Sequence, residues 1–438
     1  MGDDTAAAFE RAKAHFLDGV GRAEAGDAAA AEACFEASLA LLPDRASTLT
    51  NLATVQLQLG KPGPALQALD RAIALDASQP DAWCQRGLAL ARLGRLADSV
   101  ASLEQALALD PRYLPALFHL GCMLNESRQH ARALDAFERL LALDAGRGAA
   151  WFRHGQTLQA LGRPVQALAS YDRALELDAA QPQAWLNRGG ILREAGRGTE
   201  AAASYRQALA HGGDAEMVRF CLAAVEPGGP APLAPPLAHV QGLFDDYAEQ
   251  FEAHLVKALR YRGHEVLVDE LRQAAPGCRF AHALDLGCGT GLCGAQLQPL
   301  AERIDGVDVA AQMLARARDK NVYHRLEQAD AASYLAATEQ RYDLVVAADV
   351  LTYLGALDGV FAGVARVLQP GGVFAFSTEA ADGDAEIVLR STLRYAHSRA
   401  YLERLAREHG FAVLSLQRRP LREDRGAMLR AWYGVLSR

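Results

Sequence analysis

Four glycines crowd the run LDLGCGTGLCG, Leu284 to Gly294, and three of them, Gly287, Gly289 and Gly291, recur at every second residue after Asp285. Glycine adopts dihedrals that side chains oppose and lets the main chain come against a ligand. With an apolar strand before it and a helix after it, such a loop also turns unpaired helix N–H groups toward an anion. A dinucleotide fingerprint wants glycine or alanine three residues after the second glycine, and Leu292 stands there instead. Asp308 follows Asp285 by 23 residues, as strand, helix and strand require. Its carboxylate suits both hydroxyls of a ribose, or the N-cap of a helix starting near Ala310. Asp330 and Asp349 close two further apolar segments.

These residues need a scaffold. The segments HALDLG, RIDGVDV, HRLEQAD, YDLVVAADV, GGVFAFSTE and FAVLSLQ are short and apolar, with helical stretches between them. That alternation predicts an α/β domain with an open, mainly parallel sheet and ligands beyond the carboxyl ends of its strands. The C-terminal run from Phe411 predicts two closing strands, the last antiparallel. The basic loop between them, Arg418 to Arg425, reads as solvated surface or as a contact for an anionic acceptor. Upstream, apolar residues at three and four spacing predict two helices broken near Gly263.

The spacing Asp285-x-Gly287-x-Gly289-x-Gly291 resembles the first motif of class I S-adenosylmethionine-dependent methyltransferases, whose Rossmann-like sheet has seven strands. GVDVAAQML, QADAAS, YDLVVAADVLTYL and ARVLQPGGVFAFSTE resemble that family's later landmarks, in order. The resemblance implies S-adenosylmethionine as cofactor, held by Asp285, Leu286, Gly287, Cys288, Gly289, Gly291, Asp308, Val309, Met313, Asp330, Ala331 and Asp349. It puts Asp330 at the adenine, or at a helix cap, and Asp349 near the amino-acid moiety and methyl group. The helix LFDDYAEQFEAHL and the late RYAHSRAYLERLAREHGF look like those of the bacterial methyltransferases that carry tetratricopeptide repeats, with Tyr247 as the aromatic closing over the cofactor and Phe251 and Tyr261 behind it.

Methyl transfer from a sulfonium is an in-line displacement in which positioning contributes on the order of 7 to 11 kcal/mol. A base is required only for a protonated acceptor. His397 is the candidate base, or else a histidine bonded to backbone. Tyr353, Glu379, Tyr395 and Tyr401 fall on segments expected around the acceptor. No N/D-P-P-Y/F sequence follows the fourth strand, where DVLTYL stands, which disfavours DNA-base methylation.

The first half repeats. His15, Leu49, Trp83, Leu117, Trp151 and Trp185 are each 34 residues apart, with Gly19, Ala53, Gly87, Gly121, Gly155 and Gly189 four positions later. Phe35, Leu69, Leu103, Phe137, Tyr171 and Tyr205 follow twenty positions after the first set. Turn glycines Gly26, Gly60, Gly94, Gly162 and Gly196 separate the helical halves. This resembles the tetratricopeptide repeat, in six copies from about residue 12 to 215. One inward position reads Leu17, Asn51, Gln85, His119, Arg153 and Asn187, a polar ladder suited to an extended peptide, while Arg86, His154 and Arg188 stand where the repeat usually buries leucine. The lysine-rich clamp of some such repeats is missing. The stack serves peptide docking, or only as a spacer or assembly surface.

A net charge of -8 on 438 residues disfavours nucleic acid and acidic membrane surfaces, and no run of eighteen apolar residues occurs, so a cytoplasmic protein is expected. Seven scattered cysteines without a CxxC pair indicate neither disulfides nor a metal site. The expected organisation is an all-α solenoid with closing helix over residues 1–226, a proline-rich linker over 227–238, and the α/β domain over 239–438. The chain then reads as a methyltransferase whose repeats recruit a protein or peptide, as a small-molecule methyltransferase with repeats for assembly, or as a non-catalytic cofactor-binding protein.

Overall fold

A computed structural model describes residues 2–226, 232–249, 251–252, 261–424 and 427–438. Contacts group the chain into two units, residues 1–188 and residues 189–438.

The first unit is a run of helix pairs, such as Pro80–Arg92 with Leu96–Leu109 and Gly148–Ala160 with Pro164–Leu177. The 34-residue register has a direct cause. A Cβ on Gly121 would lie 2.6 Å from the Phe137 ring, and one on Gly155 2.7 Å from Tyr171, so the paired helices approach as closely as glycine permits. Trp83, Trp151 and Trp185 donate their indole N–H to Ala77, Ala145 and Ala179 carbonyls at 2.9, 2.9 and 3.0 Å, closing the turn before each repeat. The turn glycines have positive φ, and Arg128, at the equivalent place in the fourth repeat, keeps φ at 58° without being glycine.

The polar residues at leucine positions are built in. Arg86 donates to Asp70 at 2.8 Å and to Ser102 at 2.7 Å, His154 Nδ1 meets Ser170 Oγ at 2.9 Å, and Arg188 donates to Asp172 at 2.6 Å. Where the position is Leu52 or Leu120, the residue sixteen on is Ala68 or Ala136; where it is Arg86 or His154, it is serine. Each repeat thus carries either an apolar or a hydrogen-bonded version of one packing site.

In the second unit the strands are β1 (Phe280–Leu286), β2 (Ala301–Asp308), β3 (Arg325–Gln328), β4 (Tyr342–Ala347), β5 (Leu368–Ala380), β6 (Ile387–Leu389), β7 (Tyr395–His397), β8 (Ala412–Asp424) and β9 (Ala427–Ser437). β3, β2, β1, β4 and β5 lie side by side and parallel, and β9 runs antiparallel between β5 and β8. These seven make the expected, mainly parallel sheet, and β6 and β7 bring it to nine strands. The short β6–β7 hairpin was not expected; β7 joins the end of β5 through Glu379 and Ala380. One apolar layer centres on Leu286, Phe361 and Phe374, the other on Leu267, Leu297 and Tyr433.

The structure departs from these expectations in two places. The basic segment is not a surface loop: β8 runs to Asp424, and a register shift between Pro420 and Arg422 turns Leu421 and Arg422 both inward, as a bulge does. Nor is the second half of the proline-rich segment a spacer. Leu233 O accepts the Gly355 and Ala356 N–H groups at 2.9 and 3.0 Å, and Pro232 O accepts the Tyr395 hydroxyl at 2.5 Å. Residues 227–231 of that segment lie outside the described residues, as do 253–260 of the region read as two helices and 425–426 of the basic run. Phe220, on the helix Ala215–Ala223, packs with Leu389 and Tyr395, so the closing helix groups with the α/β domain.

Among the described residues no helix is long and apolar enough to cross a membrane, and no group of His, Cys, Asp and Glu is arranged to hold a metal ion.

Candidate functional site: a cavity over the glycine loop

β1 ends in Leu286, and the chain turns through Gly287 at φ 70° and Gly289 at φ 54° into the helix Leu292–Leu297. A Cβ on Gly287 would strike Val350 at 2.4 Å, whereas Gly289 faces open space. Gly287 is therefore bare to let the loop after β4 close in, and Gly289 because its backbone conformation disfavours side chains.

The open face belongs to a cavity of about 640 Å³. Of the residues expected to hold a cofactor, Gly287, Cys288, Gly289, Asp308, Val309, Met313, Asp330, Ala331, Asp349 and Tyr247 line it. Asp308, at the tip of β2, accepts the Gly289 N–H on Oδ2 at 2.8 Å and the Ala310 N–H on Oδ1 at 2.9 Å. Burial raises its pKa, and those backbone donors oppose the rise. Its two oxygens have lone pairs left for hydroxyl donors. Asp330 caps the helix Ala331–Ala337 through the Ser333 N–H at 3.0 Å and also lines the cavity.

Asp349 follows β4 in a left-handed conformation, φ 57°, rare for a residue with a side chain. Its N–H donates to Ser377 Oγ at 2.8 Å, and Oδ2 lies 3.3 Å from the Arg422 guanidinium. Oδ1 is buried without a hydrogen-bond partner. Burial pushes the carboxyl up to about 6, with Arg394 pulling the other way. A strained, desolvated acceptor on a cavity wall suits a cationic or hydroxylic ligand.

The helix Leu237–Tyr247 supplies Val240, Leu243, Phe244 and Tyr247, one face at i, i+3, i+4 and i+7. Phe244 meets Tyr353 edge-on at 5.1 Å, and Tyr247 meets Phe251 at 5.4 Å. Polar ties hold this cover down: Asp245 accepts the Gln312 N–H at 2.9 Å, and Glu252 takes the Thr290 hydroxyl at 2.7 Å and Lys320 at 2.6 Å.

Comparison with known proteins fits this geometry. Residues 283–372 match the model of a methyltransferase domain, and residues 17–82, 80–113 and 152–216 match tetratricopeptide-repeat models. The chain joins tetratricopeptide repeats to a methyltransferase domain. The malonyl-[acyl-carrier protein] O-methyltransferase of Enterobacter lignolyticus is 32% identical over 163 residues, 36% of this chain and 64% of that protein. The Salmonella typhimurium protein of the same name is 26% identical over 172 residues, 39% of this chain and 66% of its own. The chain thus spans slightly under two thirds of the length of these relatives. A crystal structure of MamA is similar over 38% of this chain and 96% of its own, at 23% identity and a TM-score of 0.35.

Several expected residues of the methyltransferase domain stand elsewhere. Asp285 and Leu286 are fully buried and do not line the cavity. Asp285 accepts the Tyr323 hydroxyl at 2.7 Å behind the loop, and burial pushes its carboxyl up to about 7. Gly291 caps the helix Leu292–Leu297 and faces Tyr323 rather than the cavity.

His397 is not at the cavity. On β7 it is fully buried, its Nδ1 2.6 Å from Thr378 Oγ1 and its Nε2 2.9 Å from the Gly355 carbonyl. A carbonyl only accepts, so Nε2 carries the proton and Nδ1 takes the threonine hydroxyl. Burial lowers its pKa to about 4. Both nitrogens are committed, and the reading of His397 as base is withdrawn.

Of the acceptor candidates, Tyr353 lines the cavity. Tyr395 bonds Pro232, and the Tyr401 hydroxyl takes the Leu357 N–H and donates to Asp358, so both serve packing. Glu379 is fully buried behind the site, bonded to Arg422 at 2.6 Å with Arg390 at 3.3 Å. The sequence reading missed His264 and Arg394 on the wall. His264 stacks on Tyr261, its Nδ1 buried without a partner. Only its place on the face of the helix Gly263–Ala274 could have signalled it.

In the first unit, Asn51 Nδ2 donates to the Ser47 carbonyl at 2.9 Å, and Asn187 Nδ2 to the Tyr171 hydroxyl at 3.2 Å. Arg153 donates to Gln156 and stacks on Phe152, His119 abuts Phe118, Gln85 is partly exposed, and Leu17 is 58% exposed.

Proposed function

We propose that this chain is an S-adenosylmethionine-dependent methyltransferase whose tetratricopeptide repeats recruit a protein or peptide partner or substrate. When bound, the donor supplies an electrophilic methyl group on a good neutral leaving group. The observation carrying the reading is the Asp308 carboxylate at the tip of β2, facing the cavity while bonded to the Gly289 N–H.

The residues present fit such a donor. Asp308 would take the ribose hydroxyls, Asp349 Oδ1 an ammonium group, Asp330 and Ala331 the adenine edge, and bare Gly289 the close approach of the ligand. Tyr247, Phe244 and Phe251 would exclude water, which strengthens every electrostatic contact beneath them. With His397 committed to Thr378 and Gly355, the chain's contribution is positioning.

The repeats fit recruitment of a partner. Two ladder amides, Asn51 and Asn187, satisfy part of their bonding within the stack and retain groups for an extended backbone. The names of the Enterobacter lignolyticus and Salmonella typhimurium relatives speak of an acceptor carried on a protein, which accords with an enzyme that holds a protein to reach its substrate.

Calorimetric titration with S-adenosylmethionine and its demethylated product, followed by labelled-methyl transfer into the protein and metabolite fractions of a host lysate, tests the reading. Binding with label in either fraction supports an enzyme. Absence of donor binding, or binding of a dinucleotide in its place, overturns it. Joint substitution of Asn51, Gln85 and Asn187 by alanine should lower turnover of a protein substrate; unchanged turnover removes peptide docking.

A further inference from the structure

A second cavity, of about 400 Å³, adjoins the first: Pro235, Val240, Leu243, Tyr353 and Arg394 line both. The wall changes character across this junction. Leu237, Phe244 and Leu354 face the larger space, whereas Arg193, Thr392, Arg422 and Glu423 face the smaller.

Among the described residues four guanidiniums gather here, each with a carboxylate within 4 Å. Arg193 lies 3.0 Å from Glu194, Arg390 3.3 Å from Glu379, and Arg422 2.6 Å from Glu379 and 3.3 Å from Asp349. Arg394 differs. It approaches Glu379 at 3.7 Å, and its Cζ sits 5.3 Å from the centre of the Tyr353 ring. A guanidinium has five N–H donors in a planar fork matched to an oxyanion, and this one stands where the two spaces meet, beside Tyr353 and with Glu379 3.7 Å away. The four positive and four negative groups of the cluster balance, so Arg394's position matters here rather than any excess of charge.

A second observation points the same way. Thr392 Oγ1 and Arg193 Nε are buried without hydrogen-bond partners, and both residues line the smaller cavity. Such groups are costly when unmatched, a cost that a ligand rich in acceptor oxygens relieves.

We propose that the methyl acceptor carries an acidic group, a carboxylate or phosphate, that seats on Arg394 at the junction, with an apolar body lying along the helix Leu237–Tyr247. Arg394 anchors; it takes no part in the transfer. The inference rests on reading the larger cavity as the methyl-donor site.

The test is calorimetric titration of the full chain with octanoate, octyl phosphate and 1-octanol, each with and without S-adenosylhomocysteine. The acids should bind about tenfold or more tighter than the alcohol, the factor expected of a charge-assisted pair. Arg394→Met should bring them to the alcohol's affinity, and Arg394→Lys, which keeps charge without the fork, should fall between. Preference for octanoate names a carboxylate, and preference for octyl phosphate a phosphate. Equal affinity of all three for the wild-type chain overturns the proposal, whether or not the variants fold. Acid preference without S-adenosylhomocysteine binding keeps the anion site and sinks the donor reading; the reverse result sinks the anion site alone.

Discussion

Asp308 holds the loop it faces: its Oδ2 accepts the Gly289 N–H at 2.8 Å, across 19 residues of chain. One carboxylate thereby fixes the loop after β1 to the end of β2 and presents its remaining lone pairs to the cavity. Asp308→Ala removes both functions. Affinity for S-adenosylhomocysteine should fall at least about tenfold, since hydrogen bonds to charged groups contribute about 1.5–3 kcal/mol each. Asp308→Asn should lose nearly as much, because its amide nitrogen must confront the Gly289 or Ala310 N–H. Calorimetry checks both, and undiminished affinity in either variant removes Asp308 from the binding site.

His397 should matter to stability rather than chemistry. Its folded pKa of about 4 lies below the unfolded value near 6.5, so the unfolded chain binds more protons between these values. The stabilisation is complete above pH 6.5 and is lost as pH falls toward 4, about 3 kcal/mol in all. Asp285, pushed up to about 7, works in the opposite sense, losing its contribution as pH rises through 7. The difference between wild type and His397→Gln isolates the histidine. Urea midpoints measured from pH 4 to 7 should show the gap narrowing in acid; a gap constant with pH contradicts a buried neutral imidazole.

The solenoid predicts a compensated pair. Ser102→Ala alone removes an acceptor from Arg86 and should cost about 1–2 kcal/mol. Arg86→Leu with Ser102→Ala reproduces the Leu52 and Ala68 solution of a neighbouring repeat and should be neutral or stabilising by about 1 kcal/mol. Asp70, left behind, is half exposed and loses little. Urea denaturation of the two singles and the double measures the coupling, and additive losses contradict it.

The repeat register was legible because the two helices of each copy pack in the same way: Gly155 against Tyr171 repeats Gly121 against Phe137. The donor side of the proposed site was legible for a related reason. Strand, bare loop and carboxylate follow one another along a short stretch of chain, and Gly289 and Asp308 meet as their spacing implies. The acceptor side was not. Arg422 lies in a basic run, and only the shift in pairing after Pro420 turns it onto Glu379. His397 looked reactive in sequence, and only the pairing of β7 with β5 brings Thr378 and Gly355 to its two nitrogens.

The amino-acid sequence by itself determined the two kinds of domain, their order, the turn built of glycines and the carboxylates at the strand tips, because periodicity and local backbone demands are written residue by residue. Tertiary structure alone decided which titratable groups face the cavity and which serve the core. Arg394 reaches the junction of two cavities, and His397 vanishes beneath them, although two residues separate them along the chain. Burial and partnering arise from segments far apart in sequence, and no local pattern encodes them.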